Sequence, residues 1–216
     1  MKHHKIKMTG KKVAVSLTVV AIVASMVHLH REEVKSQAQQ KAIAEEIIRL
    51  HVIANSDSKE DQALKMEVKE EIVNFLRAEM GNAKTVDEAR KVIQNNMSEI
   101  EKIAEEKMTG EGYKYEAKAE LAPCYFPIKQ YGDMTFPAGE YEALRVKLGE
   151  SQGKNWWCVM YPSLCFVDST YQVVPDSSKE KLKQSLTAEE YDLLLDGGEE
   201  ITYSSKIWEW VQNLVE

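Results

Sequence analysis

In Ile48-Arg-Leu-His-Val-Ile-Ala54, the apolar residues Ile48, Leu50, Val52 and Ala54 alternate with Arg49, His51 and Ile53. That period of two predicts a strand, and the turn cluster Asn55-Ser56-Asp57-Ser58 bounds it. The same cluster supplies helix N-caps, with Glu60 and Asp61 placed where the helix dipole favours acids. Leu64, Val68, Ile72, Phe75 and Leu76 then recur at helical spacing up to Gly81. Thr85-Val-Asp-Glu88 matches a capping box, and Val86, Ala89, Ile93, Met97, Ile100 and Ala104 trace a second helical stripe. From Tyr113 the period returns to two, through Tyr115, Ala117, Ala119 and Leu121. A further alternation over Glu142, Leu144, Val146 and Leu148, and then Asn155-Trp-Trp-Cys-Val-Met160, complete three β runs with short connections, which predicts an antiparallel meander. A capping box at Thr187-Ala-Glu-Glu190, a stop at Asp196-Gly197-Gly198 and a face formed by Ile207, Trp210, Val211 and Leu214 make the tail helical. The fold class is α+β: a single domain, residues 48–216, with an antiparallel sheet packed by amphipathic helices.

The chain before that domain has a different pattern. Residues 13–27 (VAVSLTVVAIVASMV) carry no charge, follow Lys2, Lys5, Lys7, Lys11 and Lys12, and precede His28, His30 and Arg31. A basic flank and a short apolar run form an export signal, residues 1–29, either cleaved after Val23-Ala24-Ser25 or retained as an N-terminal anchor. A spanning helix needs about 20 apolar residues, so the run is short for a permanent one. Residues 30–47, rich in Gln, Ala and Glu, read as a polar helical stalk. The positive-inside rule leaves the lysines in the cytoplasm and the domain across the membrane, which it touches only through the N-terminal segment.

Among 216 residues, 28 Lys and Arg face 35 Asp and Glu, a net charge of −7. Five of those lysines sit in residues 1–12, so the remainder holds 23 basic against 35 acidic side chains, a balance of −12. That excludes a nucleic-acid binder and disfavours docking on anionic lipid, and it leads us to expect a protein partner with a neutral or basic surface.

Export changes how Cys124, Cys158 and Cys165 read, because thiols outside the cytoplasm tend to pair. Cys158 and Cys165 are seven apart with Pro162 between them, a spacing that a turn can close. Spacing alone permits three pairings. The chain contains no GxSxG elbow, HExxH pair, phosphate loop or CxxC pair, and it shows no cofactor or metal-ligand pattern. His51 is the only histidine past residue 30. A thiolate at Cys158 with His51 as its base would make an exported hydrolase acting on cell wall or peptide, a reading that a structural disulfide would remove. Metal binding by His51 with Asp57 and Asp61 lacks a second histidine. The paired glutamates such as Glu70-Glu71 are neighbours that do not face each other on a helix. In Asn155-Trp156-Trp157-Cys158, a strand would send Trp156 and Trp157 to opposite sides of the sheet, one inward and one outward as an interface anchor.

The run from Ile48 to Gln62, with Leu64-Lys65, Tyr131-Gly132, Phe136-Pro-Ala-Gly-Glu-Tyr-Glu-Ala-Leu-Arg145 and the segment from Asn155 to Phe166 (NWWCVMYPSLCF), closely resembles the stage II sporulation protein R family over about residues 45–168. The resemblance implies an intercompartmental signal and no catalytic residue. Such a signal is made in the forespore and exported across its membrane into the intermembrane space, where it activates a membrane-embedded aspartic protease of the mother cell. The protease then processes a sigma factor precursor. By position, Asn155, Trp156, Trp157 and the loop from Cys158 to Cys165 are the expected receptor-facing patch, with His51, Asn55 and Asp57 as a second surface.

Overall fold

The computed structural model describes residues 10–165 and 173–195, and it divides into two compact units, Met1–Gln39 and Gln40–Glu216. The stop at residues 196–198 and the face predicted over residues 207–214 lie outside the described residues. Helix α1 runs Gly10–Glu45. In the first unit Leu17, Val20, Val23, Met26 and Leu29 all stand exposed along it. No helix among the described residues is long and apolar enough to cross a membrane.

In the second unit α1 ends inside the core, because Ile43 and Ile47 bracket its last turn and are fully buried. Strand β1 (Ile48–Ile53) follows, then α2 (Lys59–Glu79), α3 (Val86–Asn95) and α4 (Met97–Gly110). Ser58 caps α2 by accepting the Asp61 amide at 3.1 Å, and Thr85 caps α3 by accepting that of Glu88 at 3.2 Å. The second predicted stripe is broken at Asn96, whose side chain donates back to the Val92 carbonyl at 2.8 Å and separates α3 from α4. The remaining elements are β2 (Ala117–Phe126), a hairpin of β3 (Lys129–Tyr131) and β4 (Met134–Phe136), β5 (Gly139–Leu148), β6 (Asn155–Tyr161) and α5 (Asp176–Ser185). Residues 188–195 are helical.

The α+β class holds, but the predicted meander does not. The sheet order is β2-β5-β1-β6, with β1 parallel to β5 and antiparallel to β6. β1 is the strand with both faces buried, and a central position is the one that buries both. It therefore separates β5 from β6, while α2 to α4 and β2 form the long connection that parallel pairing to β5 requires. β2 also starts later than its period suggested, at Ala117. Tyr113 and Tyr115 precede it as a tilted ring pair with centroids 5.4 Å apart.

One sheet face carries Leu50, Val52, Leu144, Val146 and Leu148, all buried, and α2, α3 and α4 pack against the sheet. The register places Arg49, His51, Arg145, Lys147, Glu120 and Trp157 on the other face. That face is mixed in charge and partly open to solvent.

Candidate functional site

β1 sends Arg49 and His51 to the mixed face, where both are buried: Arg49 is 0 % exposed and His51 4 %. Arg49 lies in a box of aromatic rings. Its guanidinium carbon is 4.1 Å from the Phe126 ring centre and 4.7 Å from that of Tyr141, with Phe136 and Tyr131 beyond at 5.8 and 5.9 Å. Nη2 donates to the Tyr131 hydroxyl at 3.0 Å, and that hydroxyl donates to the Trp157 carbonyl at 3.2 Å, so the hairpin is pinned over this end of the face.

One step along β1, His51 pairs with Arg145 on β5 and Trp157 on β6. The Trp157 indole stacks on the imidazole at 3.8 Å with an interplanar angle of 15°, and Phe126 meets Trp157 edge-on at 4.6 Å. Burial drives the His51 pKa down to about 4. The Asn155 side chain opposes that shift, while Arg145 and Lys147 add to it. Its Nδ1 lies 3.6 Å from Cys124 Sγ on β2. Burial also pushes the Cys124 thiol up, so both groups are neutral at pH 7. The Cys124 S–H also reaches the Tyr125 carbonyl at 3.7 Å. A neutral thiol beside a neutral imidazole is a packing contact, unlike the thiolate pair that nucleophilic catalysis uses.

The thiol expected in the hydrolase reading is elsewhere. Cys158 pairs in register with Leu50, on the opposite sheet face from His51, and it is bonded to Cys165 with Cα atoms 5.1 Å apart. Neither sulfur is free, and Cys124 is the free cysteine. The cross-link closes a short loop that is further held by Leu164 donating to the Val159 carbonyl at 2.9 Å. Cys158→Ser and Cys165→Ser are each expected to cost about 2–3 kcal/mol in urea unfolding, and to cost the same. Thiol titration of the unreduced, unfolded chain is expected to find one group, rising to three after reduction.

Trp156 and Trp157 do leave β6 on opposite sides, and both are half-buried. Trp156 takes the helix side, where Lys69 of α2 sits 4.8 Å over its ring. Asn155 is exposed at the start of the strand. Asn55 and Asp57 use their side chains on the chain itself. Asn55 Oδ1 accepts the Glu150 amide at 2.9 Å, and Asp57 Oδ1 accepts that of Lys154 at 2.6 Å. Both bonds tie the β5–β6 loop to the end of β1. Asp61 is the hub of this arrangement. It accepts from Ser56 at 2.5 Å, Asn55 at 2.9 Å and the Tyr115 hydroxyl at 2.8 Å. Burial would raise its carboxyl pKa, and these hydrogen bonds outweigh that and hold it low. Gly153 fits here because a Cβ would come within 2.2 Å of the Ser56 carbonyl oxygen.

A cavity of about 440 Å³ lies along the outer edge of β2, lined in part by Glu101, Glu105, Glu120 and Lys147. Glu105 and Glu101 accept the outward amides of Ala117 and Ala119 at 3.3 and 2.9 Å. Those carboxylates protect a sheet edge. Among the described residues no group of three or more His, Cys, Asp or Glu could hold a metal ion.

The sequence reasoning missed Arg49, Cys124, Arg145 and Asp61 as parts of these networks. The one signal for Arg49 was a cation in the middle of an otherwise apolar run.

A family model described as stage II sporulation protein R matches residues 44–171, more than half of the chain. Stage II sporulation protein R of Bacillus subtilis (strain 168) is 40 % identical over 146 residues, which is 67 % of this chain and 65 % of that relative. The match thus spans a little less than two thirds of the relative's length. No solved structure matches the chain.

Proposed function

The chain belongs to the stage II sporulation protein R family, a family of sporulation proteins, and from that premise we propose that it is an exported signal between compartments. It activates a membrane-embedded aspartic protease of the opposite compartment, which then processes a sigma factor precursor. It performs no reaction itself. The uncharged run in residues 13–27 behind five lysines supports export across the forespore membrane into the intermembrane space. The disulfide between Cys158 and Cys165 suits an oxidising destination.

The observation that carries the reading is the Trp157–His51 stack on the partly open sheet face, with exposed Asn155 next to it. A half-buried indole held flat by an imidazole is a rigid anchor that loses little side-chain freedom when a partner covers it. Asn55 and Asp57 fix the loop that leads into this strand, and Trp156 seats the strand on α2. Activation follows if the domain binds the active state of the protease more tightly than the inactive one.

The test is co-expression of the full chain with the protease and its precursor substrate. Trp157→Ala is expected to lower stability by about 2 kcal/mol while remaining folded, and to lose precursor processing at least tenfold. Trp156→Ala is expected to lower stability by about 2 kcal/mol. Wild-type processing by folded Trp157→Ala would overturn this assignment of the patch.

A further inference from the structure

Lys65 stands on the buried face of α2 with Asp61, Leu64 and Val68, and it is only 5 % exposed. Its Nζ donates to Gln62 Oε1 at 2.6 Å and to the Lys154 carbonyl at 3.1 Å. Gln62 in turn donates to the Ser56 carbonyl at 2.9 Å, so the amine is steered from the turn that follows β1. Burial pulls the Lys65 pKa down, and the Asp57 carboxylate opposes that shift.

The Lys154 carbonyl belongs to the peptide bond that enters β6. Lys65 holds that carbonyl, and Asp57 Oδ1 accepts the Lys154 amide at 2.6 Å, so the backbone of one residue is gripped on both sides. The next three residues, Asn155, Trp156 and Trp157, pair with Ile53, Val52 and His51. A slip of one residue there would exchange the two indoles between the faces of the sheet. The other end of the same ladder is irregular, with a register shift between Ile48 and Arg49, so the alignment of the tryptophans is set from the Lys154 end.

Stability alone does not call for an amine at this position. Taking it out of water is costly, and an unbranched apolar side chain such as methionine is often accommodated in such a site at no loss. What the amine supplies and methionine lacks is direction, a donor aimed at one particular carbonyl.

We infer that Lys65 is a positioning residue for signalling: by holding the Lys154 carbonyl it fixes the register of β6, so that the Trp157 indole stacks on His51 and faces the partner. The inference rests on the partner-facing role proposed for Trp157.

Hydrogen exchange of the full chain, followed residue by residue, tests this together with precursor processing. Lys65→Met is expected to speed exchange at Asn155, Trp156 and Trp157 at least tenfold, to leave Val146 and Leu148 within about twofold of wild type, and to lower processing at least tenfold. Asp57→Ala removes the other side of the grip and is expected to speed the same three amides. The double variant is expected to fall short of the product of the two single factors, because both act on one residue's backbone. Wild-type exchange at residues 155–157 in Lys65→Met, or acceleration shared equally by Val146 and Leu148, overturns the assignment. Local acceleration with wild-type processing overturns it too. Trp157→Ala in the same assay then separates the causes: a processing defect there keeps the partner-facing role, and normal processing removes that role as well.

Discussion

Arg49→Ala is expected to destabilise the domain by about 3–4 kcal/mol, whereas Arg49→Met should stay within about 1 kcal/mol of wild type. The guanidinium is fully buried among Phe126, Tyr141, Phe136 and Tyr131, so alanine leaves a void lined by four rings that are fixed in strands. It also strips the Tyr131 hydroxyl of its Arg49 donor and loosens the hairpin. The charge itself is a weaker source of stability. Among the described residues no carboxylate pairs with it, Nε and Nη1 make no hydrogen bond, and ring quadrupoles recover only part of the cost of removing a cation from water. Methionine keeps the unbranched stem and contacts the rings through a polarizable sulfur without that cost. Urea unfolding of the two variants measures the split directly. A loss below about 1 kcal/mol in Arg49→Ala would mean that the box is not packed around the side chain.

How much of this was legible depends on which interactions decide each feature. Helix α2 was readable because its cap Ser58 and its stripe Leu64, Val68, Ile72 and Leu76 act within a few residues of one another. The opposed directions of Trp156 and Trp157 follow from strand geometry alone, and the structure has them. Strand order was not readable, since inserting β1 between β5 and β6 depends on contacts about a hundred residues apart. The site was hidden for the same reason. Arg49 and His51 look like the polar half of an amphipathic strand. Their burial is produced by Phe126, Tyr131 and Trp157, which register and the hairpin bring from distant parts of the chain. The roles of Asn55 and Asp57 were also hidden, because a turn cluster is read as local capping and here two of its side chains hold a loop near residue 150.

His51 makes the stability of the domain depend on pH in a window set by its own shift. Its folded pKa is about 4, against 6.5 for the free side chain, so folding favours the neutral ring. The stabilisation is fully present above about pH 6.5 and is lost as the pH falls through 4. That difference corresponds to about 3 kcal/mol in all, most of which is gone by about pH 4.5. Carboxylates held low by hydrogen bonds, such as Asp61, Asp133 and Glu120, contribute in the same direction but at lower pH. Glu46, whose pKa is raised first by burial, works in the opposite direction. Protonation adds a positive charge beside Arg145 and Lys147, so the penalty falls on the Trp157 face. Urea unfolding at pH 7 and pH 4.5 is expected to show the loss in wild type and little of it in His51→Gln. If His51→Gln declines as steeply as wild type, the imidazole is not the group that titrates, and the drop belongs to the carboxylates.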